Sequence, residues 1–531
     1  MAVPSPAAVS TAPAGAPTGP ARAGWVLGTL ILVASVANLN LAVANVALPD
    51  IGADLNASQT GLNLVSVGFS LGLAGTVLYL GALGDRYGRK GMLLLGMALT
   101  IPTALLATWA PSIGVLFLAR VLGGVAAGMA YPTTLALITA LWAGPARTRS
   151  IALWSAVGGG MVAVASLLAG WLLTTFWWGS VFFLTAPLAA VALVLAARYV
   201  PAHVNETDDT VDHVGGALSV VGVVAVVMAI NFAPSPGEGT TALVAGAVAV
   251  VAFVGFFVRQ ARARTPLFDL HVAARRVFWV AAVAGLVVFG TLMGAVFVGE
   301  QYLQNVLGYS TLAAGAAVLP AAVAMVVAAP VSAKLIGRVG SRLTLLTGYA
   351  FLLAAFVVML LWWTASAGYG PVAAAFILMG IGVGLSGTPA SHSLTGSVPT
   401  ARAGMASGTA DLQRDLGGSI MQSILGAILT AGYAAAVANR IATSGAHPTD
   451  QVTTLLERSF SSAAAVAQAH PAQASAILAG ARASFLDGAD WAYAAGALAI
   501  VVGALLVAAC FPSRAREAEL LAGYEREDRR P

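Results

Sequence analysis

The sequence predicts an all-α polytopic membrane protein of fourteen transmembrane helices: two six-helix parallel-repeat halves plus a two-helix central insert. Three observations carry this. The 531 residues are 59% hydrophobic and only 9% charged, where a soluble domain carries about 25% charged residues. The apolar residues fall in blocks of about 20, the length of a helix that crosses a bilayer. A third sign is internal: LGDRYGRKGMLLLG at 83–96 recurs as LIGRVGSRLTLLTG at 335–348, as expected of two like-oriented halves with the repeat on one membrane face.

The elements follow in order. Residues 1–24 form a Pro/Ala/Ser-rich tail whose one charge is Arg22, without the charged n-region of a signal peptide. Six apolar runs then fill 25–200: 25–47, 60–83, 91–109, 113–135, 150–173 and 180–200. Two more, 216–233 and 240–259, make the insert at about 215–260. The second half, 275–511, holds 278–301, 311–334, 343–363, 371–395, 404–434 and 490–511, with a long extracellular loop at about 435–489. A charged tail, 512–531, closes the chain.

The basic residues orient this map. With both termini inside, cytoplasmic segments hold 21 of the 26 Lys and Arg, as the positive-inside bias requires. Only Arg440, Arg458 and Arg482 fall outside, all in the long outer loop, and Arg120 and Arg414 lie within helices. The expected location is therefore a cell (inner or plasma) membrane, crossed many times, with both termini cytoplasmic. One cysteine, Cys510, excludes an intramolecular disulfide. No metal-ligand spacing, nucleophile–base set or phosphate-binding loop is present, so no cofactor, metal, ATP, nucleic acid or enzymatic chemistry is expected.

The strongest motif is GALGDRYGRKGMLL at 81–94. Gly81 and Gly88 permit close helix approach and a tight turn, and Asp85 can accept from Arg86, Arg89 or a helix N-terminus across the loop. The stretch resembles the loop signature of the major facilitator superfamily that follows that family's second helix. The resemblance implies a conformational latch of Gly81, Asp85, Arg86, Gly88, Arg89 and Lys90, with Arg338 as its echo in the second half. LARVLGGVAAG at 118–128, QYLQNVLGYSTLAAGAAVLP at 301–320 and GMASGTADLQRDLGGSIMQSILGAIL at 404–429 are similar to the fourteen-span drug:proton antiporter subfamily. Those are multidrug exporters of quaternary ammonium compounds and uncouplers. The resemblance implies a secondary transporter exporting amphipathic small molecules, mostly cationic, by alternating access and in exchange for protons.

Two departures shift where the proton would sit. LNLAVANVALP at 39–49 resembles the subfamily's first-helix motif, but Asn40 stands where that motif has an aspartate, and a carboxamide does not titrate. Asn45 matches the motif's own asparagine, and Asn38 reads as a polar packing contact. The fifth-helix motif keeps only Gly170 of its four fixed residues, in ASLLAG at 165–170. Ionisable groups at membrane depth are costly and are functional candidates by default. The acids there are Glu300, Asp411 and Asp415. Glu300 is open to two readings, a site residue or a water-exposed rim residue. Asp411 and Asp415, spaced i, i+4 around Arg414, share a helix face, and two acids around one arginine leave one carboxylate free to exchange a proton. Arg120 would hold an acid or the Asn40 amide across the bundle. Other readings of this scaffold stay open: a lipid or metabolite exporter, a weakly coupled facilitator, or a non-transporting receptor or assembly factor.

Overall fold

The computed structural model describes residues 19–528 except 56–58, 203, 205–209, 234–238, 400–401 and 445–447. Most of the N-terminal tail and the side chain of Asn45 lie outside the described residues. Every regular element among the described residues is a helix. In hydrocarbon each backbone N–H and C=O must find its partner inside the segment, and a helix provides that without a neighbour.

The first six runs become α1 (Ala23–Asp54), α2 (Gln59–Tyr87), α3 (Arg89–Thr108), α4 (Ile113–Leu141), α5 (Gly144–Leu173) and a pair, α6 (Ser180–Phe183) with α7 (Thr185–Tyr199). α8 (His213–Phe232) and α9 (Gly239–Arg262) form a hairpin that leans on α2. A single turn, α10 (Leu270–Ala273), leads into α11 (Arg276–Asn305), α12 (Thr311–Ala317), α13 (Leu319–Val339), α14 (Ser341–Trp362) and α15 (Tyr369–Gly396). α16 (Ala403–Ser444) is followed by α17 (Asp450–Arg458), α18 (Phe460–Ala469), α19 (Ala474–Cys510) and α20 (Arg514–Asp528). Thirteen helical segments are long and apolar enough to cross a membrane, among the described residues, and α5, at 30 residues, is a further long helix packed on α1 and α13. The chain is an all-α, multi-pass membrane protein.

Local chemistry sets the helix starts. Ser112 caps α4 by accepting from the Val115 N–H, and Asp212 caps α8 by accepting from Gly215. The two copies of the internal repeat share one backbone device: Gly88 has φ 106° and Gly340 has φ 87°. A side chain is strained there, so glycine makes the sharp reversal between α2 and α3, and again between α13 and α14.

One sequence expectation takes a more specific form. The 435–489 connection is largely helical: α16 continues to Ser444 and α19 begins at Ala474, because the alanine-rich sequence favours helix beyond the apolar run. Arg440 ties the two extensions by pairing with Asp487 at 2.8 Å. The two tandem tryptophans, Trp177–Trp178 and Trp362–Trp363, each divide in exposure. Trp177 and Trp362 are about half exposed, as interfacial anchors would be, while Trp178 and Trp363 are buried. Trp178 donates to Asp54, and Trp363 stacks on Tyr302.

Candidate functional site: a central cavity beside two charged clusters

A cavity of about 510 Å³ lies between α1, α2, α4 and α5 on one side and α11, α13 and α16 on the other. Its wall is mostly apolar, with Phe289, Met293 and Val296 from α11 among the contributors. Polar side chains interrupt it, among them Asn38, Tyr131, Glu300, Gln304, Arg414 and Asp415. Glu300 and Asp415 thus bring two carboxylates to one cavity from different helices, which the sequence leaves undecided for Glu300. Asn38 is also at the wall, where its side chain donates to the Ala34 carbonyl one turn back at 2.9 Å.

Asp411, Arg414 and Asp415 divide their roles through helical geometry. Arg414 donates to Asp411 Oδ1 at 3.0 Å and to Ser391 Oγ at 3.3 Å. Its guanidinium lies over Trp154 at 4.7 Å and Phe289 at 4.9 Å, faces that attract a cation. Trp154 is itself held, donating to Thr134 and stacking on Tyr131. Asp411 is 1% exposed, and its second oxygen has no hydrogen-bond partner among the described residues. Asp415 makes no ion pair or hydrogen bond among the described residues and faces the cavity. One acid therefore pairs with the arginine, and the other lines the cavity.

Arg120 and Asn40 are joined elsewhere. Arg120 is buried and donates to the Asn40 backbone carbonyl at 2.6 Å and to Asn40 Oδ1 at 2.9 Å. It also reaches the Val65 carbonyl and lies over Phe69 at 4.9 Å. Its remaining NH2 has no hydrogen-bond partner among the described residues. Neither Arg120 nor Asn40 lines the cavity.

The 83–96 turn forms the third cluster, at the arginine-rich end. Asp85 accepts from Arg89 at 2.8 and 2.9 Å through one oxygen, and from the Gly404 backbone N–H at 2.7 Å through the other. That second bond ties the end of α2 to the first turn of α16, where the helix dipole favours a negative charge. Gly81 allows the approach, since a Cβ there would sit 3.0 Å from the Gly404 carbonyl oxygen. Arg89 also reaches the Val204 carbonyl, and Lys90 donates to Ala197. Arg86 lines a shallow crevice with Asp85 and Arg402. Arg338 is different: its side chain is exposed, and only its backbone carbonyl is used, accepting from Arg514.

The sequence model described as Major Facilitator Superfamily matches residues 30–422. This chain belongs to that superfamily. It is 32% identical to the multidrug efflux pump LfrA of Mycolicibacterium smegmatis over 494 residues, covering 93% of this chain and 97% of that protein. The multidrug resistance protein Stp of Mycobacterium tuberculosis is 30% identical over 75% of this chain and 74% of its own length. The methyl viologen resistance protein SmvA of Salmonella typhimurium is 28% identical, over 78% and 84% respectively. The crystal structure of the human organic anion transporter MFSD10 (TETRAN) superposes with a TM-score of 0.57 at 12% identity, covering 92% of this chain and all of that one. At that identity the likeness shows the fold alone. The chain is a multi-pass membrane transporter.

Two partners escaped the sequence reading. Ser391 and Trp154 complete the Arg414 site from other helices, 23 and 260 positions away in sequence. A serine in a glycine-rich apolar run and a tryptophan in an apolar helix carry no local mark of a charged neighbour.

Proposed function

We propose that this transporter exports amphipathic cations from the cell by alternating access and couples that export to protons. Its two halves, α1–α7 and α11–α19, rock around the central cavity, α8–α9 is the inserted pair, and both termini face the cytoplasm with the arginine-rich end. The single observation that carries the reading is Asp415: a carboxylate in an apolar cavity, left unpaired because Arg414 is already held by Asp411. An isolated charge in such surroundings is costly. A proton or a cationic substrate relieves the cost, and the two compete for the same oxygens. That competition is antiport in its simplest form: a proton arriving from outside displaces the cation, and loss of the proton to the cytoplasm restores the site. Glu300 offers a second carboxylate to the same space, so a bulky or doubly charged ligand can meet both. The resistance proteins named above support drugs as the substrate class.

The cytoplasmic closure is the Asp85–Gly404 contact, which parts when the cavity opens inward. Asn40 favours a second reading, a weakly coupled facilitator, because the amide engages Arg120 and cannot carry a proton. A susceptibility panel in a pump-deficient host, with proton-driven uptake of cationic dyes into inverted vesicles, separates the two. Coupled export predicts that Asp415→Asn abolishes uptake driven by a proton gradient. Facilitation predicts equilibration in wild type that ignores the gradient.

A further inference from the structure

The two copies of the internal repeat differ at one chemically decisive position. Asp85 of the first copy aligns with Gly337 of the second, so the α13–α14 turn has no carboxylate of its own. A carboxylate nevertheless stands at that turn. Glu517, from α20, is only 6% exposed and accepts from the Ser341 backbone N–H at 3.4 Å and from Ser393 Oγ at 3.2 Å. It meets the N-terminus of α14 where the first backbone donors lack helical partners, and it ties that end to α15.

The rest of α20 is anchored around it. Arg514 donates to the carbonyls of Arg338 at 2.7 Å and Gly337 at 2.9 Å, the last turn of α13. Arg275, at the start of α11, pairs with Asp528 at 2.5 Å, lies over Tyr524 at 4.5 Å and donates to the Ser397 carbonyl at the end of α15. One short helix thus gathers the ends of α11, α13, α14 and α15. It also looks across to the first half: Glu525 lies near enough to Arg147, on α5, to act on it electrostatically. α5 is the fifth span of the first half, as α16 is of the second. Asp85 reaches the start of α16 from the first half, and the charge of Glu525 acts on the start of α5 from the second.

We propose that α20 is the second half's counterpart of the 83–96 turn. In it, Glu517 is the positioning residue that replaces the carboxylate missing at Gly337, and Glu525 draws the helix to Arg147 across the half–half interface to keep the cytoplasmic end closed. The proposal rests on the alternating-access reading above but not on proton coupling or on any substrate. Glu517 holds the turn and α15 as one body, so the half moves rigidly. Glu525 adds an attraction that lapses when the cytoplasmic end opens.

The test uses the full chain in inverted vesicles, with Cys510→Ser removing the one native thiol and Ser407→Cys reporting opening. Ser407 is fully buried and its hydroxyl bonds only to carbonyls of its own helix, so the exchange is mild. The readout is the labelling rate with a membrane-impermeant maleimide added on the cytoplasmic side. Glu517→Gln and Glu525→Arg are expected to raise that rate by about fivefold or more, the lower end of usual coupling energies. Arg147→Glu alone does the same, and Arg147→Glu with Glu525→Arg returns it towards wild type. If Glu517→Gln elutes as an aggregate, Ser393→Ala takes its place, removing one of the two bonds. An unchanged rate in well-folded Glu517→Gln overturns the clasp, as does a double variant no better than either single change. Dye export in the same vesicles is scored separately: a pump that exports nothing while labelling responds defeats the export reading and leaves the clasp standing.

Discussion

Arg120 in α4 and Arg414 in α16 put the same cation at membrane depth in the two halves, with opposite company. Arg414 has a carboxylate, a hydroxyl and two aromatic faces, and it leaves Asp415 over for the cavity. Arg120 also has two aromatic faces, Phe69 and Phe182, but beside them only an amide and two carbonyls, with one nitrogen unpartnered and no acid among its hydrogen-bond partners. The first environment can change its charge by a proton, and the second holds a fixed one. On the proposed reading, a buried arginine serves a transport site only when there is more acid beside it than it needs.

The comparison can be broken most forcefully at Asp411. Removing one partner of a buried pair costs about 3–5 kcal/mol, so Asp411→Asn should lower the thermal stability of the detergent-solubilised protein sharply and lose transport with it. Unchanged stability would mean that Arg414 does not depend on that acid. Asp415→Asn should do the reverse. Folding stays intact, while gradient-driven dye uptake falls at least about tenfold, the factor that 1.4 kcal/mol of lost ligand or proton binding represents. If Asp415→Asn and Asp411→Asn behave alike, the division of labour between them is wrong.

Asn40→Asp sharpens the other side. It gives Arg120 the carboxylate it lacks, within reach of the nitrogen that now donates to Oδ1 at 2.9 Å. A stability gain of about 1–2 kcal/mol is expected, in the range of charge-assisted hydrogen bonds, and is read as a higher midpoint in a thermal-shift measurement. A gain in pH-dependent export would show that position 40 still connects to the transport path. A loss of stability would show that no charge is tolerated beside Arg120.

The smaller expected effects lie outside the membrane, at Glu517 and then Arg338. Burial pushes its carboxyl above the ordinary value, and the bonds from Ser341 and Ser393 only partly oppose this. For an acid raised in the folded state, the stabilisation is fully present below its ordinary value and is lost as pH rises through the raised one. Amide hydrogen exchange in 514–528 should therefore quicken as pH rises across that window, after correction for intrinsic exchange. Glu517→Gln should flatten the dependence. Arg338→Gln, by contrast, should change stability by less than about 0.5 kcal/mol, since its side chain is exposed.

Much of this was legible from residue order alone. Blocks of about twenty apolar residues produce helices because hydrocarbon offers the backbone no other partner. The repeat marked both turns, and Gly88 and Gly340 do adopt the backbone that the turns require. The i, i+4 spacing placed Asp411 and Asp415 near Arg414 on α16. A spacing defines a face of a helix and not what that face meets, so it left open which acid would pair.

Amino-acid order by itself determined that this chain lies in a membrane, that it is helical, and that its halves echo one another, because those properties depend on local composition and period. Tertiary structure alone decided that Asp415 faces the cavity while Asp411 is spent on Arg414. It also decided that Arg120 settles on Asn40 across 80 residues, and that the carboxylate missing from the second turn is supplied by Glu517 from 176 residues away. Such pairings rest on how helices rotate and cross. Nothing in the local sequence of either partner records that, since each meets the other only once the whole bundle has packed.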